Sequence, residues 1–179
     1  MKIEIFDVEH GQCALVTADN GDHMLIDCGH NVTSGWRPSE MLAERRIHWL
    51  DTLAISNCDE DHLSDLNNVA EHLLTDDRQM LNIGYLNHNI DITPAVIQQM
   101  KAPHELTNNM QWMCWLIPKF SGPGGVAFPT FGLGTCTLYR NFYPLVLNDP
   151  TENGFSNNMS LVTFLHYGNI HILLGLSAP

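Results

Sequence analysis

The chain has 179 residues, 44% of them hydrophobic, and sets eight Lys and Arg against twenty Asp and Glu for a net charge of −12 with histidine neutral. That length is enough for one domain with its own core, while so acidic a surface repels a phosphate backbone and argues against unaided gripping of nucleic acid. No run of about eighteen apolar residues occurs and Met1-Lys2-Ile3-Glu4-Ile5 does not open a secretion signal, so the expectation is a cytoplasmic protein with no membrane contact.

In chain order, Lys2 to Asp7, Gln12 to Thr17 and His23 to Asp27 read as three short strands in an antiparallel meander. The third delivers Asp27 to a turn, in Leu25-Ile26-Asp27-Cys28-Gly29. A helix is predicted over Pro38 to Ile47, with Arg37, Arg45 and Arg46 in or beside it, either as a solvated face or as a small basic patch. Leu53-Ala54-Ile55 is a fourth strand, and it ends in the most distinctive stretch of the chain, Ser56-Asn57-Cys58-Asp59-Glu60-Asp61-His62. The spacing of Leu63, Leu66, Val69, Ala70, Leu73 and Leu74 predicts one helix after it. Three consecutive carboxylates on a strand-to-helix loop repel one another unless a cation sits among them. They also suit a helix start, Asp59 as cap and Glu60 and Asp61 against the dipole, without any metal. The residues alone leave both readings open.

Leu81 to Leu86 is strand-like and precedes His88. Thr93-Pro94 opens a helix to about Lys101, and a second helix is predicted from Glu105 to Trp115, with Trp112, Met113, Trp115 and Leu116 as core. Pro118 to Gly134, rich in glycine and proline, reads as a long loop, a lid over the site or a contact for a partner. Strands Leu161 to Leu165 and Ile170 to Leu174 flank a Tyr167-Gly168 turn, with His166 and His171 facing solvent. His88 and His30 could face the strand-end loops and His10 lies in the loop after the first strand, but a surface or hydrogen-bonded histidine is the commoner fate for each. Five cysteines, at positions 13, 28, 58, 114 and 136, form no C-x-x-C pair, which predicts free thiols, with Cys58 exposed on the acidic loop.

Four blocks in order resemble the metallo-β-lactamase fold superfamily: Phe6-Asp7-Val8-Glu9-His10-Gly11-Gln12-Cys13-Ala14, Leu25-Ile26-Asp27-Cys28-Gly29, Ser56 to His62, and Asn157-Asn158-Met159-Ser160-Leu161-Val162 running into Ile172-Leu173-Leu174-Gly175. Within that superfamily they look most like the hydrolase domain of bacterial DNA-uptake channels, which reads F-D-V-G-Q-G-D-A, L-I-D-x-G, S-H-x-D-x-D-H and N-x-x-S-L-V before L-L-x-G-D.

The resemblance implies an α/β fold, a four-layer αββα sandwich formed by one domain over 1–179, and a metal-dependent hydrolase acting on phosphodiesters of nucleic acid or nucleotides. It also implies a divalent cofactor, zinc or manganese, as one or two ions. The family signature H-x-H-x-D-H falls on Asn57, Asp59, Asp61 and His62, so these are the implied metal ligands. Asp59, Asp61 and His62 are the implied catalytic set, and Asp27 stands behind them to orient ligands. Asn57 replaces a histidine, and an amide oxygen suits hard ions better than zinc. The aspartate of L-L-x-G-D and the later family histidine have no counterpart, so the sandwich is expected to be incomplete at its C-terminal side, completed by a further segment or a protein partner. The rival expectation is a non-catalytic degenerate or split domain that binds a partner.

Overall fold

The computed structural model describes residues 1–77, 80–100, 106–120, 135–140 and 159–174. Its elements in chain order are β1 (Lys2–Ile5), β2 (Ala14–Thr17), β3 (His23–Ile26), α1 (Pro38–Glu44), β4 (Leu50–Ala54), α2 (Glu60–Leu63), α3 (Leu66–Leu73), β5 (Ile83–Asn87), α4 (Pro94–Met100), α5 (Asn108–Phe120), β6 (Thr135–Arg140), β7 (Leu161–Tyr167) and β8 (Ile170–Leu174). The first five strands form one sheet in the order β1-β2-β3-β4-β5, and the last three form a second, β6-β7-β8. β1, β2 and β3 are the expected antiparallel meander, while β4 and β5 join in parallel, with Leu25 opposite Leu53 and Leu53 opposite Leu86.

The pleat explains why the central strands are apolar on both faces. Leu15, Leu25 and Leu53 point to one side and pack with Leu42 of α1, Leu66, Val69 and Leu73 of α3 and Met113 and Leu116 of α5. Ala14, Val16, Met24, Ile26 and Ala54 point to the other side and meet Leu161, Leu165 and Leu174 of the second sheet. The class is α/β, as expected, and the described residues supply three layers of the expected four: helices, first sheet, second sheet. Leu173 and Ile170, on β8, are 52% and 57% exposed. No described helix is long and apolar enough to cross a membrane.

Three expectations need correction. The single helix after the acidic stretch is broken into α2 and α3, because Asp65 between them is fully buried and committed elsewhere. Its backbone N–H donates to the Cys28 carbonyl at 2.8 Å, and its carboxylate accepts from Arg37 and from the Ser39 N–H of α1, both at 2.9 Å. Leu74 thereby falls at the C-terminal cap, half-buried. The Glu105–Trp115 helix instead starts at Asn108, where Thr107 Oγ1 accepts from the Met110 N–H, and it runs through Pro118 to Phe120. Proline there forfeits one helical hydrogen bond and its ring crowds the carbonyl four residues back, yet the last turn continues, with Leu116 and Ile117 buried on the core. Residues 121–134 of the expected loop lie outside the described residues, as do Asn157, Asn158 and Gly175. Two of the three arginines are committed to carboxylates: Arg37 is paired with buried Asp65, and Arg45 makes two bonds to Glu4.

Candidate functional site

The parallel strands β3, β4 and β5 end on the same side, and the chain leaving them carries Asp27, then Ser56 to His62, then Asn87-His88-Asn89. Strand ends of this kind are where α/β folds gather polar groups. Asp27 leaves β3 in the left-handed region at φ +56°, a conformation that costs most residues about 1 kcal/mol and that aspartate tolerates better than most. The strain turns its carboxylate inward, where it is fully buried. There it accepts from the Ser56 N–H at 2.6 Å, from the Ser56 hydroxyl, and from His62 Nδ1 at 2.9 Å.

His62 is therefore oriented. With Nδ1–H donated to Asp27, the neutral imidazole has its lone pair on Nε2, which lies 4.0 Å from Asp61 Oδ2. Burial pushes the imidazole pKa down, but the hydrogen bond and charge of Asp27, with Asp61 and Asp59 adding to them, outweigh it and hold the value above the ordinary one. Asp61 is exposed, with 43% of its side chain accessible. Asp59 is half-buried at the N-cap position of α2 and makes no side-chain cap. Asn57 is buried, and its Oδ1 accepts from the Asp59 N–H at 3.0 Å, shaping the loop.

Glu60 takes a different part from its neighbours. Its carboxylate accepts from Thr107 Oγ1 at 2.6 Å and Asn109 Nδ2 at 2.7 Å, tying α2 to the start of α5. Of the three consecutive carboxylates, one is thus structural.

The loop is held in place by main-chain packing. A Cβ on Gly11 would stand 2.2 Å from the Asp61 carbonyl oxygen, and one on Gly29 would stand 2.8 Å from the same atom. Gly11 also has φ +80°. The first and second sequence blocks therefore close on the backbone of the third from two sides, and the His62 carbonyl accepts from the Cys28 N–H at 2.8 Å.

The structure brings Asp27, Ser56, Asp61 and His62 together. Ser56 and Asp65 are the residues that sequence reasoning did not single out; the signal for Ser56 was its place at the strand end, one residue before the signature. Cys58, expected to be exposed, is buried at 7%, and desolvation first, then Asp59 and Asp27, pushes its thiol up to about 12. His88 is buried beyond β5, His30 is half-buried with its N–H on Ser64 Oγ, and His10 is exposed in the β1–β2 connection. Among the described residues no group of three or more His, Cys, Asp or Glu is placed to hold a metal ion. A cavity of about 400 Å³ lies between α3 and α5, and another of about 600 Å³ lies near Glu4, Arg46 and Trp49; neither has Asp59, Asp61 or His62 among its described lining.

No family model matches the chain. A stretch of 61 residues, 34% of the chain, is 36% identical to the Anti-Pycsar protein Apyc1 of Bacillus phage BSP38, and it covers 22% of that protein. Among solved structures the chain is similar to the metallo-β-lactamase fold protein YhfI from Bacillus subtilis, with a TM-score of 0.46 and 16% identity over 97% of this chain and 60% of that one. The chain thus spans less than two thirds of the length of either protein.

Proposed function

We propose that this chain carries the hydrolytic site of a metal-dependent hydrolase of metallo-β-lactamase type that acts on phosphodiester bonds of nucleotides or nucleic acid. The observation that carries the reading is the buried Asp27–His62 pair, which fixes an imidazole with Nε2 toward an exposed carboxylate at the ends of parallel strands. The order of the four sequence blocks and the local similarity to a phage Anti-Pycsar protein support it.

The donor set suits a divalent ion in part. Asp61 and His62 would hold it, Asp59 is the next carboxylate on the loop, and Asn57 has already given one lone pair to the Asp59 N–H. Such an ion, when bound, supplies an activated water and polarises the scissile phosphate. The chain's own residues do the preparatory work: Asp27 keeps the proton on Nδ1, Ser56 holds Asp27, and Glu60 is drawn away by α5 so that it does not compete. The second reading, a non-catalytic module that binds a protein partner, is favoured by one observation, that among the described residues no group of three or more His, Cys, Asp or Glu is placed to hold a metal ion.

The test is elemental analysis of protein purified without chelator, beside an Asp61→Ala, His62→Ala double variant, followed by assay on a chromogenic phosphodiester with manganese or zinc. Metal in the parent, loss of it in the variant, and turnover that disappears in Asp59→Ala are the expected results. Equal metal in both proteins would sink the assignment. A metal-bound protein without turnover on diester, thioester or lactam substrates would leave the binding module standing.

A further inference from the structure

On the solvent side of α5, Gln111, Trp112 and Trp115 come three, four and seven residues after Asn108, so the four share one helical face. The opposite face, Met110, Met113, Leu116 and Ile117, is buried. Asn108, Gln111, Trp112 and Trp115, with Asn67 of α3, line the cavity of about 400 Å³. In a chain with twenty acidic residues, that lining holds two indoles and three carboxamides, and no charged group among its described members. The inner edges of both tryptophans rest on the core. Their rings stand 5.3 Å apart at 80°, making a corner, and Trp112 is locked by its Nε1–H donating to Asn67 Oδ1 at 2.8 Å.

We infer that this groove binds the base of a nucleotide. Asn108 and Gln111 each carry an amide donor and an acceptor side by side, which is the pattern on the edge of a nucleobase, and indole faces stack on bases of any sequence. A neutral groove suits a neutral base in a molecule whose overall charge repels phosphate. Lys119, whose Nζ lies 3.9 Å from the Trp115 ring centroid, places a cation beside it for the phosphate. The groove is also wired to the acidic loop. The Asn67 N–H donates to Asn109 Oδ1 at 2.9 Å, and Asn109 Nδ2 donates to Glu60, which stands between Asp59 and Asp61. This inference rests on the nucleotide reading above and adds to it the subsite that would hold the base.

The test titrates the full-length protein with adenosine, cytidine, guanosine and uridine, and with ribose 5-phosphate as control, following the indole N–H resonances of Trp112 and Trp115. At least one nucleoside is expected to shift both at millimolar concentration, and ribose 5-phosphate neither. Gln111→Ala, at the surface, and Trp115→Leu, which keeps an apolar side chain at a half-buried position, should each weaken nucleoside binding about tenfold with an unchanged circular dichroism spectrum. Lys119→Ala should weaken nucleotides and leave nucleosides alone. The Asp61→Ala, His62→Ala protein should bind nucleosides as the parent does, so base binding without hydrolysis would defeat only the proposed reaction. Hydrolysis without any shift at Trp112 and Trp115, nucleoside affinity indifferent to Gln111→Ala and Trp115→Leu, or a response to ribose 5-phosphate alone would overturn the inference.

Discussion

At Asp27 one carboxylate serves three buried donors, and its replacement separates charge from geometry. Asp27→Asn keeps a side chain that tolerates the left-handed backbone but removes the charge facing His62, whereas Asp27→Ala strands the Ser56 N–H, the Ser56 hydroxyl and His62 Nδ1. We expect Asp27→Ala to lose about 3 kcal/mol in urea unfolding and Asp27→Asn about half as much. The pH profile carries a second signature. His62 has its folded pKa raised, so in metal-free protein its contribution is fully present below about pH 6.5 and is lost as pH rises through the folded value. Unfolding free energies measured from pH 5 to 8 should show that fall in the parent and a flatter line in Asp27→Asn; an identical slope in both would remove Asp27 as the cause.

Two elements fix the acidic loop, and they fail in different ways. Gly11→Ala forces a Cβ into the Asp61 carbonyl at a positive φ, whereas Gly21→Ala, at φ +92°, meets nothing within 4 Å. Gly11→Ala should therefore cost at least about 2 kcal/mol and Gly21→Ala only about 1, both by denaturant melts. Equal losses would mean that backbone strain alone matters and that the loop is not seated on Gly11. On the other side, Glu60→Ala should cost about 1–2 kcal/mol by releasing Thr107 and Asn109, while Asp61→Ala in metal-free protein stays within about 0.5 kcal/mol. A larger loss from Asp61→Ala would reverse the division of labour among the three carboxylates. These elements also mark how far the sequence could be read. Alternation and apolar runs located the three-strand meander, β4 and the β7–β8 hairpin, because pleat and burial leave a periodic trace. The α2–α3 break left none, since it depends on Asp65 reaching Arg37 and Ser39 some 26 to 28 residues away. The inward turn of Cys58 and the withdrawal of Glu60 toward α5 are likewise decided by partners distant in sequence. In sequence, Glu60 is for that reason indistinguishable from its acidic neighbours.

Across the whole molecule, the two sheets meet through small and branched side chains, Ala14, Val16, Ile26 and Ala54 against Leu161, Leu165 and Leu174. Leu165, 2% exposed, sits in that interface, and Leu165→Ala should cost about 2–4 kcal/mol. Both sheets should still melt in one transition; tryptophan fluorescence and far-ultraviolet circular dichroism that part company would show that they are independent units. Hydrogen bonds among the described residues also join the sheets, Tyr167 of β7 donating to Asp19 beyond β2. The Ser56 carbonyl accepts from the Leu161 N–H at 2.6 Å, and Asn89 Nδ2 donates to the Met159 carbonyl at 2.9 Å, so the entry to β7 is fastened to the ends of β4 and β5. Ser56 is also the residue whose N–H and hydroxyl hold Asp27. The aim of the His62 imidazole is thus expected to follow assembly: a chain whose second sheet has not yet docked would lack the Leu161 bond to Ser56, leaving Asp27 less firmly braced and the ring freer to turn. Capture of an ion at Asp61 and His62 would then come after the sandwich has closed, which would spare the folding chain from being pinned early by the same ligands it needs late.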